Sequence, residues 1–101
     1  MTKFKVFIDF DKEERWLERW AARGWLLTSA SYLRYRFAAR PPQQVTMRID
    51  YRTFKDNQSF LDYCAMFEDS GWLHVGGTRR SGAQYFRRIH PDAIELIDNT
   101  S

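Results

Sequence analysis

An internal repeat is the feature that most constrains this chain. Three pairs of segments match one another: residues 16–26 with 63–73 at an offset of 47, residues 4–10 with 45–51 at an offset of 41, and residues 35–37 with 84–86. The chain has 101 residues, which is a usual size for one domain. The repeat therefore predicts two copies of one supersecondary unit inside a single domain.

Each copy is predicted to contain one amphipathic helix. The first begins near Asp11, which has the spacing of a capping box with Glu14, and stops at Gly24. The second begins at Asp56 and stops at Gly71. Aromatic and aliphatic residues recur on one side of both helices, which is typical of a face that packs on a core and not of a cofactor site.

Alternating apolar residues predict the strands. They cover residues 4–10, 32–37 and 45–52, and two short strands at 72–77 and 83–89 flank a polar, glycine-rich turn. The order β-α-β-β-α-β, with a hairpin as the last strand, is that of a ferredoxin-like α+β sandwich. In that fold two helices cover one face of an antiparallel sheet, and the first and third strands are neighbours.

The domain boundaries follow from this order of elements. We expect one α+β domain over residues 1–90, built from two βαβ half-units at about 4–37 and 45–89. Residues 91–101 form an acidic C-terminal tail, which contains three of the 13 acidic residues. The rest of the chain is therefore more basic than the overall net charge of +3.

The sheet face away from the helices is the candidate interaction surface. If Val6 and Ile8 of the first strand and Met47 and Ile49 of the third face the helices, the alternate residues must face away. This predicts an open face rich in arginine and aromatic side chains. The candidate residues are Phe7, Asp9, Tyr32, Arg34, Arg36, Arg48, Asp50 and Arg52.

Two of these residues admit a chemical interpretation. Asp9 and Asp50 occupy matching positions on strands that are expected to be adjacent. They form either a paired-carboxylate or anion-binding centre, or cross-strand pairs with arginine that keep a partly covered sheet satisfied. Arginines nearby keep carboxylates ionised, which favours the second interpretation over general acid chemistry.

Other candidate sites are weaker. His74 and His90 have no further ligands at suitable spacing, so we expect no metal. Cys64 lies on the predicted buried side of the second helix with no base that spacing identifies. The turn at residues 76–82 lacks the Lys-Ser/Thr of a phosphate-binding loop. We expect no catalytic residues and no cofactor, and hence a domain that is not an enzyme.

The basic and aromatic residues of the predicted open face favour some classes of binding partner over others. An uncovered, half-apolar sheet promotes self-association, so a homodimer or docking on another protein is favoured. Nucleic-acid or anion binding on the same face is the alternative, although the RNA-recognition signature is absent from residues 46–51. The single cysteine, and the lack of a signal peptide or membrane span, predict a cytoplasmic location.

Several short motifs, in a fixed order, resemble one protein family. They are residues 7–17, 21–25, 35–37, 48–51, 67–72 and 84–87. Together they resemble the bacterial domain-of-unknown-function family numbered 2812. Its members often continue into membrane-spanning helices and are often encoded beside PadR-type transcriptional regulators. The resemblance therefore implies a cytoplasmic sensory or docking role with a PadR-type regulator as a partner.

The same resemblance bears on the chain's end and on its chemistry. The chain stops at residues 94–101, before any span. Either a membrane-spanning segment follows in the natural gene, or this member is wholly soluble. No catalytic residues are established for the family, so the resemblance assigns none here.

Overall fold

The computed structural model describes residues 1–88, which form two helices and two three-stranded antiparallel sheets. In chain order the elements are β1 (Thr2–Phe4), α1 (Phe10–Ala22), β2 (Trp25–Ser31), β3 (Arg34–Ala39), β4 (Met47–Arg52), α2 (Asn57–Asp69), β5 (Trp72–Gly76) and β6 (Gly82–Arg88). Sheet A has the order β1-β3-β2 and sheet B the order β4-β6-β5. The α+β class is confirmed. The acidic tail expected at 91–101 lies outside the described residues.

The two halves of the described chain have the same element order, βαββ, and the same sheet order. The helices begin 47 residues apart, at Phe10 and Asn57. The strand irregularity between Leu27 and Ser29 recurs between His74 and Gly76, also 47 residues on. The offset of 41 for the first strand is therefore wrong, because one offset relates β1, α1 and β2 to β4, α2 and β5.

The ferredoxin-like βαββαβ order is not confirmed. A strand at residues 25–31 was not expected, and it gives the first half the hairpin that was expected only in the second. The first strand is also shorter than predicted and pairs with β3, whereas β4 lies in the other sheet. The expected adjacency of the first and third strands is wrong, because each half completes its own sheet.

Local capping chemistry defines both helices. The carboxylate of Asp9 accepts a hydrogen bond from the backbone N–H of Asp11 at 2.9 Å, so α1 begins before the expected cap at Asp11. The carboxylate of Asp56 accepts one from the N–H of Ser59 at 2.7 Å, as the sequence predicted. These caps satisfy N–H groups that have no partner inside a helix.

The layers follow the order α2, sheet B, α1 and sheet A, and β2 of sheet A also contacts β5 of sheet B directly. On one side of α1, the rings of Trp16 and Trp20 pack on Phe37 of β3, with both centroid distances at 5.9 Å. On another side, Leu17 shares the core with Ile49 of β4. Helix α2 lies on the opposite face of sheet B, where its Phe67 ring stacks on Phe86 at 4.0 Å. The sequence predicts that both helices cover one sheet face, and this prediction is wrong.

A buried carboxylate joins α1 to both sheets. Glu13 is 4% exposed, and its Oε2 accepts a hydrogen bond from the hydroxyl of Tyr35 in β3 at 2.6 Å and another from the hydroxyl of Tyr85 in β6. Burial, followed by the hydrogen bond to Glu13, raises the pKa of both tyrosines, so both hydroxyls remain donors. Because one oxygen receives one donor from each sheet, Glu13 fixes how the two halves meet.

Two further carboxylates of α1 cover the edge of β4. Glu14 accepts a hydrogen bond from the backbone N–H of Ile49 at 2.7 Å, and Glu18 accepts one from that of Met47 at 2.8 Å. An edge strand otherwise presents unpaired N–H groups. Helix α1 therefore closes the edge of sheet B as well as part of its face.

We predict that Tyr35→Phe and Tyr85→Phe each lower the free energy of unfolding by about 1–3 kcal/mol, because each removes a donor from the buried Glu13 carboxylate. The double variant should differ from the sum of the two, since both donors share one oxygen. Urea denaturation measures these changes. Tyr51→Phe, at a tyrosine that is 69% exposed, is the matched control and should be neutral. Wild-type stability in either core variant would contradict the role of Glu13.

Candidate functional site

The candidate site is the side of sheet A that faces away from α1. Register places Arg36 opposite Thr2 and Ser29, and Arg34 opposite Phe4 and Ser31, so these six side chains share one face. We call this set, Thr2, Phe4, Ser29, Ser31, Arg34 and Arg36, the outer face of sheet A. All except the half-buried Ser31 are exposed. Among residues 1–88, no helix or strand packs over this face.

Apolar side chains adjoin the two arginines at one end of the outer face. Phe4 and Tyr32 are each 73% exposed, and Leu33 is 53% exposed. Together with Ser31 and Arg34 they line an open depression of about 440 Å³. Tyr32 lies in the β2–β3 turn, where its φ of +56° is in the left-handed region that residues other than glycine seldom adopt. The turn thus presents a large ring beside guanidinium groups.

The first strand segment has the opposite orientation from the prediction. Phe7 packs inward on the ring of Trp16, with a centroid distance of 5.2 Å, whereas Val6 is 68% and Ile8 100% exposed. The ammonium group of Lys5 lies 5.6 Å from the ring of Trp16. A lysine can lay its alkyl stem on an aromatic surface and keep its charge in water. The lysine side of the segment therefore faces α1, and Phe7 is not part of the open face.

The predicted residues of β4 also lie on a covered sheet face. Asp50 accepts a hydrogen bond from the hydroxyl of Tyr63 in α2 at 2.7 Å. The guanidinium of Arg52 lies 5.5 Å from the Tyr63 ring, and that of Arg48 lies 5.4 Å from the Trp72 ring. Arg48, Asp50 and Arg52 therefore face the α2 side of sheet B, although both arginines remain exposed to solvent.

The paired-carboxylate interpretation is wrong, because Asp9 and Asp50 do not occupy matching positions. At the offset of 47, Asp9 corresponds to Asp56, and both are helix caps. Asp50 corresponds to Lys3 and has its own partner in α2. Each carboxylate thus has a separate structural role, and neither has the cross-strand arginine partner of the second interpretation.

Three predicted residues, Tyr32, Arg34 and Arg36, do come together at the open surface. Sequence analysis missed Phe4, Ser29 and Ser31, which complete the face. The sequence pattern carries no signal for the outward orientation of Phe4, because its match at the offset of 47 is Tyr51, which shares the side of β4 that alternation assigned to the helices. In the structure Phe4 and Tyr51 are both exposed.

A protein-family model described as "Protein of unknown function (DUF2812)" matches residues 9–98. The chain belongs to this family. The resemblance found in the sequence motifs is thereby confirmed. No curated protein and no solved structure matches the chain. The family match covers α1 through β6, so both βαββ halves of the DUF2812 domain lie within it, apart from β1.

Two titratable side chains of the DUF2812 domain that lie away from the outer face of sheet A, His74 and Cys64, are partly buried. Nε2 of His74 lies 2.9 Å from Oε1 of the fully buried Gln84, and burial lowers the pKa of His74. Burial raises the pKa of the Cys64 thiol, which keeps it protonated at neutral pH. Within residues 1–88, no group of three His, Cys, Asp or Glu residues could hold a metal ion. No helix in this part of the chain is long and apolar enough to cross a bilayer.

We predict that Asp9→Ala and Asp50→Asn destabilise the DUF2812 domain independently. The first removes a helix cap, worth about 1 kcal/mol, and the second weakens the hydrogen bond from Tyr63 by a similar amount. Denaturant unfolding of both single variants and the double variant should give additive losses to within about 0.5 kcal/mol. A larger coupling energy would show that the two carboxylates interact and would revive the paired-site interpretation.

We predict that the DUF2812 domain becomes less stable as the pH falls below 6.5, because of His74. Its pKa in the folded state is lower than the ordinary value of 6.5, so the unfolded chain binds the proton more tightly. The contribution of His74 to the free energy of unfolding is therefore fully present above pH 6.5 and is lost as the pH falls toward the lower pKa of the folded state. The loss should be smaller in His74→Gln, which retains a donor for Gln84. His90 is present in both proteins, so an identical loss in both would contradict the assignment.

Proposed function

We propose that this chain is a non-enzymatic, cytoplasmic interaction domain that binds protein through the outer face of sheet A. The observation that carries the proposal is the unequal covering of the sheets. Among residues 1–88, sheet B packs on α1 through Ile49 and Tyr85 and on α2 through Phe86, whereas sheet A packs on α1 and on β5 through one face only. Arg34 and Arg36 lie on the other face of sheet A, the outer face.

The chemistry of the outer face favours an acidic protein surface with an apolar centre. A guanidinium group binds a carboxylate through two parallel hydrogen bonds and loses less hydration energy than an ammonium group. Phe4 and Tyr32 offer large apolar areas beside the arginines. Aromatic and arginine side chains are the residues that most often dominate binding energy at protein interfaces.

The titratable groups elsewhere support a role without catalysis. Glu13 and Asp50 accept hydrogen bonds from tyrosines inside the fold, and the His74 ring is paired with Gln84. These groups are thereby engaged in holding elements together. A general acid or base must instead be within reach of a substrate proton.

A PadR-type transcriptional regulator is a candidate partner, because such regulators are often encoded beside members of this family. A second candidate function is nucleic-acid or anion binding on the same face. The exposure of Phe4 and Tyr32 beside Arg34 and Arg36 favours it, since single strands bind to stacked aromatic rings flanked by basic residues.

Site-specific photo-crosslinking tests the proposed function. We predict that a benzophenone amino acid at Ser29, placed in the full chain within cells that normally make it, forms a covalent adduct with a protein. The adduct should be lost when Arg36→Glu is added, because the reversed charge repels an acidic partner. Thr53 is the control position, since it is exposed but lies outside the outer face. Equal labelling at Ser29 and Thr53, or an adduct that survives Arg36→Glu, would contradict the proposal.

Oligonucleotide binding distinguishes the second candidate function. Under the protein-binding proposal, single-stranded RNA and DNA should show no binding that both weakens with salt and disappears in Arg36→Glu. Phosphate contacts release counterions, so true binding at this face must depend on salt concentration. Fluorescence anisotropy with labelled oligonucleotides measures it, and Tyr32→Ala tests the stacking contribution. Salt-dependent binding lost in both variants would favour nucleic acid over protein.

A further inference from the structure

The contact between α1 and sheet B shows how one unit of this chain packs on the next. Leu17 of α1 lies in the core with Ile49 of sheet B, and Glu14 and Glu18 accept hydrogen bonds from the edge of β4. Ala21 lies one turn further on and is 2% exposed. Residues 14, 17 and 18 therefore lie on the helix surface that meets the following unit, and the buried residue 21 continues the same side of α1.

Among residues 1–88, no sheet packs against the same side of α2. At the offset of 47 the corresponding residues are Leu61, Cys64, Ala65 and Glu68, which we call the outward stripe of α2. Leu61 is 50% exposed, Ala65 and Glu68 are exposed, and Cys64 is half-buried. In α1, by contrast, Leu17 and Ala21 are 1% and 2% exposed. Positions that are buried in the first helix are thus more exposed to solvent in the second.

Among residues 1–88, sheet A lacks the second helix that sheet B has. In sheet B, Ile49 and Tyr85 face α1. By strand register, the equivalent residues of sheet A are Thr2 and Arg36 on its outer face. In the described part of the chain the layers therefore end in two unpaired surfaces, a helix at one end and a sheet at the other, whereas inside the chain the equivalent surfaces pack together.

The two unpaired surfaces have opposite charge. The outer face of sheet A carries Arg34 and Arg36, which are both exposed. Helix α2 carries Asp62, Glu68 and Asp69, which are exposed, and it has no basic residue in its last turn. Leu61 and Ala65 between these acids match the apolar surface of Phe4 and Leu33. Complementary charge around an apolar centre is the pattern of a specific protein interface.

We propose that the chain self-associates, with the outward stripe of α2 in one copy packed on the outer face of sheet A in another. The inference rests on the proposed function and names its partner as a second copy of this chain. The contact joins two different surfaces, so it is heterologous. Because the two surfaces lie at opposite ends of the layers, repetition of the contact closes into a ring where the rotation between copies allows it and otherwise continues as a filament.

Charge reversal on each surface tests the proposal. Light scattering coupled to size-exclusion chromatography, over a range of protein concentration, should show a wild-type assembly that weakens with salt. Arg36→Glu and Glu68→Lys should each weaken self-association by about tenfold or more. Arg80→Glu makes the same charge change at an exposed loop residue and should leave the assembly intact. Circular dichroism checks that each variant is folded.

Restoring assembly with paired charge reversals identifies which two surfaces contact each other. The double variant Arg36→Glu/Glu68→Lys exchanges the charges and should assemble again, and an equimolar mixture of the two single variants should form a mixed complex. Leu61→Asp should also weaken assembly, because it places a charge in the apolar centre of the contact and leaves Arg36 and Glu68 unchanged. A wild-type chain that stays monomeric at every concentration overturns the proposal. So does an assembly that Arg36→Glu breaks but Glu68→Lys and Leu61→Asp leave unchanged.

The outcomes separate this inference from the proposed function. If the adduct at Ser29 joins the chain to a different protein while the pure chain is monomeric, self-association is wrong and the protein-binding face stands. If the chain assembles but Arg36→Glu has no effect on assembly or on the adduct, both are wrong.

Discussion

The buried carboxylate of Glu13 is the interaction on which the arrangement of the two halves depends. It receives one tyrosine hydroxyl from sheet A and one from sheet B, so α1 cannot move away from either sheet without removing a hydrogen-bond donor from a buried carboxyl group. A buried acceptor that loses a partner costs more than an exposed hydrogen bond that water can replace. Because α1 contacts both sheets, sheet B is covered on two faces by residues 1–88 and sheet A on one, and the open arginine-bearing surface follows from that asymmetry.

Much of the local structure could be predicted from the sequence. The cap at Asp56, the two helices that end before glycine, and the strands after Gly71 all follow from short-range chemistry. The strand at residues 25–31 is not predicted, because this stretch has no charged residue and no clear alternation. At the equivalent place in the second half, the sequence does predict the strand that the structure has at Trp72–Gly76. Consistent use of the repeat would have supplied β2.

The covered and open sheet faces could not be predicted in the same way. Alternation shows which side chains share a face, but not which face a helix will cover. At Val6 and Ile8 the apolar side faces solvent, because Lys3 and Lys5 lie over the rings of Trp20 and Trp16. At Arg48 and Arg52 the charged side faces α2, because guanidinium groups stack on aromatic rings there. Of the arginines predicted to lie on the open face, those of β3 lie on the sheet face that no other element of residues 1–88 covers.

Arginine-specific labelling in cells tests the central claim most directly. A dicarbonyl reagent followed by mass spectrometry compares the reactivity of Arg34 and Arg36 with that of the exposed loop residue Arg80. The account predicts that Arg34 and Arg36 lose reactivity relative to Arg80 in cells, compared with the dilute purified chain, because a protein covers the outer face of sheet A. The same ratio of reactivities in both conditions would show that the face stays uncovered and would contradict the account.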